Sequence, residues 1–278
     1  MAIKYSPPTP MPTPTPTVAS MVGVSRCIIG FGETDFTVDA GFSVSHQPFS
    51  SAIGSSLGIP VPYGGVAKNL KVIVSSNTLD DVCKVSVYRN EVEGFLNVII
   101  PAGVTGVFEN NIDTMNFNEN DRIFFVIDTT NATTGSIKIL GASVVYEVSV
   151  TPGVSRCIIG FGEAGFIVGA GWSVSHQPFS SAIGSSLGIP VPYRGMAMNL
   201  KVIVLSNSLD NVCKVSVYKN EEMTNLSVTI PAGETGTFKN DTDIVKFDEN
   251  DRIYFVIDTS AATSGSIDIP GVTIAYEG

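Results

Sequence analysis

The sequence has few charged residues, and most of those it has are acidic. Only 15% of its 278 residues are charged, with 16 Lys and Arg against 26 Asp and Glu, which gives a net charge of −10. Soluble domains usually carry about 25% charged residues, so much of the surface must be uncharged. Proteins bind a nucleic-acid backbone through clustered cations, so the composition predicts a chain with no nucleic-acid partner.

Long apolar runs are also missing, although the mean hydropathy is positive at +0.27. A membrane-spanning helix needs about 18 or more consecutive apolar residues, so we expect no membrane partner. The segment Met1–Pro8 lacks the apolar centre of a secretory signal, and we expect synthesis without one.

The sequence contains a duplication. Gly23–Glu33 recurs unchanged as Gly153–Glu163, and the same offset of 130 residues continues without a gap to the end of the chain. A repeat this long matches a whole domain rather than a solenoid unit. We therefore predict two tandem domains, at residues 23–150 (copy one) and 151–278 (copy two), with the join at residues 148–152.

Residues 1–22 precede the first copy, and alternating Pro and Thr dominate Ser6–Thr17. Proline holds φ near the polyproline value and removes a backbone donor, so this segment is predicted to be an extended arm. Two interpretations stay open, namely a disordered tail and an arm that lies along a neighbouring subunit.

Within each copy, apolar residues alternate with a period of two. Leu70–Val74, Cys83–Val87, Leu96–Ile100 and Ile123–Ile127 show this pattern, and short turn-forming clusters separate them. No segment of ten or more residues has a convincing helical pattern. The sequence predicts an all-β protein with about eight strands per copy, in two tandem antiparallel β-sandwiches. A jelly roll is the first choice and an immunoglobulin-like topology the second.

Several strands are also apolar on the face that should contact water. The positions that carry this prediction are Ile73, Phe124 and Val126, with Ile203, Tyr254 and Val256 in copy two. A sheet with two apolar faces must have both covered. The cover comes either from loops of the same copy or from another subunit, and we list these six residues as interface candidates.

A second group of interface candidates lies in the longest unbroken identity between the copies. Ser43–Tyr63 is identical to Ser173–Tyr193, and loops kept this similar are often contact surfaces. A recent gene conversion would also explain the identity. The candidates in this segment are His46, Phe49, His176 and Phe179.

The sequence offers no convincing catalytic group. A hydrolytic triad needs a nucleophile, a base and an orienting acid, and the two histidines are not accompanied by a Gly-x-Ser-x-Gly motif. We predict structural histidines and no enzyme activity.

The four cysteines, Cys27, Cys83, Cys157 and Cys213, form no Cys-x-x-Cys motif. They lie on apolar strand faces, so free thiols are favoured over a Cys27–Cys83 disulfide.

Acidic clusters such as Asp80–Asp81 and Glu119–Asp121 resemble calcium-binding loops only in composition. Their spacing fits no EF-hand, and Asn211 replaces the second aspartate in copy two. Turns are rich in Asp and Asn for backbone reasons alone. We therefore predict neither a metal site nor a cofactor.

The order of several short motifs resembles a known family. Pro60–Pro62, Gly65–Val72, Ile100–Gly106 and Asn120–Thr129, each with a counterpart in copy two, are similar to jelly-roll modules in virion proteins of tailed bacteriophages. The resemblance covers about half of each copy. It implies a β-sandwich that decorates or joins capsid or tail parts, often as a trimer, and it brings no catalytic residues with it.

These observations predict a non-enzymatic structural protein of a virus particle, such as a capsid decoration, cement or fibre-base component. Its location would be the virion, and its partners other virion proteins and further copies of itself. The alternative is a surface lectin or adhesin that holds glycans at its loop ends, although Trp172 is the only tryptophan available to stack on a sugar.

Overall fold

The computed structural model describes residues 23–32, 36–49, 58–152, 154–163, 165–179, 188–191 and 193–278. Every regular element in these ranges is a β-strand. The strands of copy one are β1 (Gly23–Gly32), β2 (Thr37–Asp39), β3 (Ser43–His46), β4 (Ile59–Pro60), β5 (Gly65–Asn77), β6 (Cys83–Arg89), β7 (Val92–Ile100), β8 (Gly106–Phe117), β9 (Arg122–Asp128) and β10 (Ser136–Val150).

Copy two repeats this arrangement with more interruptions. Its strands are β11 (Arg156–Gly162), β12 (Ile167–Gly169), β13 (Ser173–His176), β14 (Ile189–Pro190), β15 (Gly195–Val204), β16 (Ser206–Asn207), β17 (Cys213–Lys219), β18 (Glu222–Ile230), β19 (Gly236–Asn240), β20 (Val245–Phe247), β21 (Arg252–Asp258), β22 (Ser266–Asp268) and β23 (Gly271–Glu277).

The strand orders confirm the predicted jelly roll. In copy one, the sheets run β1-β10-β5-β8 and β3-β9-β6-β7, with all pairs antiparallel and the short β2 and β4 added to β10 and β9. Two interleaved four-stranded sheets of this order make up the eight-stranded jelly roll, so the immunoglobulin-like alternative is wrong. Copy two has the same orders, β11-β23-β15-β19 and β13-β21-β17-β18, and each sheet contains strands of one copy only.

A single substitution explains one of the places where copy two interrupts a strand. Copy one runs through Leu140 in the long strand β10, whereas Pro270 separates β22 from β23 at the same position. Proline has no backbone N–H to pair in a ladder, so the strand ends there. The predicted join is partly a strand, because β10 continues to Val150 before the chain crosses to β11.

Turn residues act as the sequence predicts. Asn90 and Glu91 connect β6 to β7 with φ values of 49° and 72°. Two positive φ values in a two-residue hairpin define a type I′ turn, whose twist matches that of the flanking strands. Asn220 and Glu221 repeat the turn between β17 and β18.

The histidines are buried in the cores, which contradicts their listing as interface candidates. The His46 ring stacks on Phe31 with the ring centroids 3.5 Å apart, and His176 stacks on Phe161 at 3.6 Å. Both rings have no exposed surface. They lie on the core side because their strands pair with the central strand of the sheet opposite inward-facing Phe125 and Phe255.

Phe124 and Tyr254 lie on the second face of their sheets, as predicted, and of the two covers left open it is their own copy that supplies it, so they are not interface residues. Phe124 is 3% exposed, because the Tyr88 ring lies 5.3 Å from it and the Gly58 backbone approaches it. Tyr218 and Gly188 cover Tyr254 in the same way. Val126 and Val256, two residues further along the same strands, are buried as well.

The predicted N-terminal arm lies outside the described residues, as do residues 50–57 and 180–187 of the identical segments. Among the residues that are described, no helix is long and apolar enough to span a membrane.

Candidate interaction site between the two copies

Copy one covers the outer face of the sheet β11-β23-β15-β19 of copy two. The strand β4 lies against β11, β15 and β23, and neighbouring loops add further side chains. We call the contributing residues of copy one the loop face: Gln47, Phe49, Pro60, Tyr63 and Glu119. The residues of copy two that they approach form the sheet face: Arg156, Ile158, Gly162, Lys201, Ile203, Gly271 and Thr273.

Besides the ion pair of Glu119 described below, hydrogen bonds join the loop face to copy two. The Thr273 hydroxyl donates to the carbonyl oxygen of Pro60 at 2.7 Å, and the Gln47 amide donates to the carbonyl oxygen of Pro270. The Tyr63 hydroxyl donates to the carbonyl oxygen of Cys157 at 3.2 Å. Burial raises the pKa of Tyr63, so its hydroxyl keeps the proton that it donates.

Lys201 is the most unusual residue of the contact, because its side chain has no exposed surface. Its ammonium group lies 2.7 Å from a Glu119 carboxylate oxygen across the contact and also bonds to Asp241. A buried charge is costly unless it is paired. Copy one thus supplies one of the two carboxylates that offset the burial of this lysine.

Aromatic side chains extend the contact. The Arg156 guanidinium lies 5.3 Å from the centroid of the Tyr63 ring, within the range of a cation–π interaction. The Phe49 and Phe179 rings meet edge to face at 4.9 Å. Both phenylalanines have positive φ values, 61° and 58°, which are rare for a bulky residue.

Two glycines allow the copies to approach closely. A Cβ on Gly162 would overlap the Gln47 side chain, and a Cβ on Gly271 would lie 3.3 Å from the carbonyl oxygen of Gly58. Neither glycine has a positive φ. The space taken by the other copy therefore favours glycine at position 162, and at position 271 it makes a side chain a tight fit.

The edges of the two sheets meet beside this contact. The Ser25 hydroxyl donates to the carbonyl oxygen of Arg156 at 2.7 Å and accepts from its N–H at 2.6 Å. The pKa of Cys27 is raised to about 12, mainly by burial and in smaller part by Cys157 across the contact. All four cysteines are free thiols in the structure.

The structure brings together only part of the predicted interface set. Phe49 and Phe179 meet each other, Ile203 is covered by copy one, and Ile73 remains exposed on copy one. Sequence reasoning missed Lys201, Thr273 and the glycines, for which no local signal exists. Tyr63 and Pro60 did carry a signal, since both belong to the segment that is identical in the two copies.

Basic residues also line a cavity in copy two, where two of them form ion pairs with nearby aspartates. A cavity of about 700 Å³ lies at one end of copy two and is lined by Arg194, Lys219 and Lys246 among others. Asp248 pairs with Arg194 at 3.1 Å, and Asp251 pairs with Lys219 at 2.7 Å.

The predicted acidic clusters serve turns. The Asp80 carboxylate accepts the N–H groups of Thr133 and Thr134 and the Thr133 hydroxyl, which holds its pKa well below its usual range. Within the described ranges, no three His, Cys, Asp or Glu side chains are grouped so that they could hold a metal ion.

Comparison with known proteins adds little. No family model matches the chain, and no curated protein sequence matches it. One similar solved structure is a xanthan lyase from Paenibacillus, which is 13% identical with a TM-score of 0.26. The match covers 91% of this chain and 25% of the lyase chain, so the chain spans about a quarter of that protein. A TM-score this low supports no conclusion about fold or activity.

Proposed function

We propose that the chain is a non-enzymatic structural protein of a virus particle, acting as a capsid decoration, cement or fibre-base component. The observation that carries this proposal is the apolar outer face of one sheet in each copy. In copy two this face is buried against copy one, and in copy one the equivalent face is exposed. Ile158 and Ile203 are covered in copy two, while Ile28 and Ile73 are exposed in copy one. A sheet that uses its outer face for protein contacts is suited to assembly.

The jelly roll supports the proposal only as context, because this fold occurs in viral capsid proteins and in lectins alike. The low charge content supports assembly more directly, since few charges need to be desolvated at an interface. The motif resemblance to phage virion modules points to the same class of protein.

The test is whether the chain is part of a particle. Particles purified on a density gradient from a culture that encodes the chain should contain it at a fixed ratio to the major capsid protein. Particles from a strain lacking the gene should lose stability to heat or low salt, and added recombinant chain should restore it. Absence of the chain from particles would overturn the proposal.

A glycan-binding lectin is the second candidate, favoured by exposed aromatic rings at equivalent turns. Trp172 is 65% exposed before β13, and Phe42 has the same place in copy one. A glycan array with the whole chain tests this function, with Trp172→Ala and Phe42→Ala as matched variants. Binding that is lost in these variants would support the lectin, and an array without signal would argue against it.

A further inference from the structure

Each half of the contact between the copies is present a second time, on the opposite copy. The duplicated sequence gives copy two its own loop residues and copy one its own sheet residues. The second loop face consists of Gln177, Phe179, Pro190, Tyr193 and Glu249. The second sheet face consists of Arg26, Ile28, Gly32, Lys71, Ile73, Gly141 and Ser143.

The second faces keep the chemistry of the first contact. All five loop residues are identical to their counterparts, and six of the seven sheet residues are identical as well. Ser143 replaces Thr273 and keeps the hydroxyl that donates across the contact. Nearby, Leu140 replaces Pro270, which preserves the backbone carbonyl that accepts from glutamine. Val145 replaces the buried Ala275 and adds apolar surface beside the face.

Most of each second face is uncovered in a single chain, although the Phe179 ring also touches Phe49 of copy one. Ile28 is 71% exposed, whereas its counterpart Ile158 is 3% exposed, and Ile73 is 46% exposed against 4% for Ile203. On the second loop face, Phe179, Pro190 and Tyr193 are exposed.

The charges fit in the same way. Lys71 stands where Lys201 stands and bonds to Glu109 on its own sheet at 2.8 Å. In the contact within the chain, Glu119 supplies the second carboxylate to Lys201. The equivalent residue for Lys71 is Glu249, which is exposed on the second loop face. The second loop face therefore offers a carboxylate, Glu249, and the second sheet face offers the lysine, Lys71, with which it would pair.

We propose that the second loop face of one chain binds the second sheet face of another copy of the same chain. The contact within the chain is the template for the contact between chains. Because the two faces differ, the association is heterologous, and it continues head to tail until it closes into a ring or grows as a filament. This inference deepens the proposed function by naming the partner, and it rests on that function only in treating the chain as an assembly subunit.

Two blocked variants test the proposal with the full chain. The sheet-blocked variant carries Ile28→Asp and Ile73→Asp, at two exposed positions that a charge can occupy without harm to the fold. The loop-blocked variant carries Pro190→Asp and Glu249→Lys, at two exposed residues of copy two that take no part in the described contact within the chain. The aspartate places a charge in the second contact, and the new lysine repels Lys71. Far-UV circular dichroism and thermal melting check that both variants fold.

Sedimentation velocity should show the wild-type chain as an oligomer and each variant alone as a monomer. Loss of a central contact residue typically weakens association by roughly 30-fold or more, so each double substitution should remove the oligomer at moderate concentration. An equimolar mixture should form a one-to-one dimer and nothing larger, since only one intact junction remains. Phe95→Ser, at an 86% exposed residue outside both faces, is the matched control and should assemble as wild type.

Gly32→Ala gives a milder probe of the same face. A Cβ there lies 3.8 Å from its nearest neighbour, the carbonyl oxygen of Leu140, so the single chain accommodates it. In the second contact, this Cβ would meet Gln177 of the neighbouring chain, as a Cβ on Gly162 meets Gln47. Normal folding with weakened assembly is the expected result.

A wild-type chain that stays monomeric at every concentration would overturn the proposal. So would variants that oligomerise normally, or a mixture that forms no dimer. These outcomes are separable from failure of the virion role, because a monomer can still decorate a particle. Conversely, a chain that assembles head to tail but is absent from particles would support this inference and overturn the virion role.

Discussion

The side chain of Gln47 occupies the space that a Cβ on Gly162 would need. The two residues belong to different copies, and the glutamine amide also donates to the carbonyl oxygen of Pro270. Because Gly162 lets Gln47 come this close, the glutamine reaches the carbonyl oxygen of Pro270, just before β23. The relative position of the two copies therefore depends on one glycine.

Gly162→Ala should destabilise the chain, because the buried Gln47 side chain cannot move aside without losing its hydrogen bond. Overpacking of this kind typically costs about 1–3 kcal/mol. Urea unfolding at low protein concentration measures it, with Gly32→Ala as the matched change on the uncovered face, where about 0.5 kcal/mol or less is expected. Equal effects of the two substitutions would show that the copies do not pack here.

Glu119→Gln should weaken the contact, because it removes one of the two carboxylates at the buried Lys201. Loss of a hydrogen bond to a charged group costs roughly 1.5–3 kcal/mol, and the lower end applies here because Glu119 is partly exposed and Asp241 remains. Glu249→Gln in the monomeric chain is the control and should be neutral. A double-mutant cycle with Lys201→Met isolates the pair, and a coupling energy near zero would contradict the geometry.

Phe124→Ser and Tyr254→Ser should damage folding itself and not only assembly. Both rings are buried against a tyrosine of the adjacent strand, and truncating a buried aromatic residue typically costs about 3–5 kcal/mol. Chemical unfolding of each variant gives the loss directly. Ile73→Ser, on the exposed face of the other sheet, is the comparison and should change stability little. Unchanged melting of Phe124→Ser would mean that the ring is not packed.

The difference between Phe124 and Ile73 shows what the sequence can predict. The period of two correctly predicts the strands and places Phe124 and Ile73 on the outer faces of their sheets, but it left two sandwich topologies open. It does not reveal what covers the second face, because that depends on residues far away in sequence, such as Tyr88 and Gly58.

Lys71 and Lys201 make the same point about the site. They are identical residues at equivalent positions, yet one is exposed and the other completely buried. The difference arises because Glu119 and the rest of copy one cover the sheet of copy two that contains Lys201, whereas nothing in the described part of the single chain covers Lys71 in this way. No local pattern separates the two lysines, so only the three-dimensional arrangement identifies the contact.

The chain should lose stability as the pH falls from about 6.5 to about 4. Burial lowers the pKa of His46 from 6.5 to about 4, so the unfolded chain binds a proton in this window that the folded chain does not. The free energy of unfolding therefore falls with decreasing pH, by up to roughly 3 kcal/mol at about 1.4 kcal/mol per pKa unit. Urea unfolding between pH 4 and 8 measures the slope. His46→Gln should flatten it, and an unchanged slope would assign the acid sensitivity to other groups.

The two copies should recognise each other when they are expressed as separate chains. Every sheet contains strands of one copy only, so residues 23–150 and residues 151–278 should each give a β-type circular dichroism spectrum. Copy two alone exposes Ile158 and Ile203, and burying such side chains contributes roughly 1.5–3 kcal/mol each, which favours association. Copy one with Ile28→Asp and Ile73→Asp and copy two with Pro190→Asp and Glu249→Lys keep only the contact of the intact chain. Mixing these two should therefore give a one-to-one complex in sedimentation, and Gly162→Ala in copy two should weaken it. A random-coil spectrum for copy one would contradict the two-domain division. Two folded copies that form no complex would contradict the contact between the loop face and the sheet face.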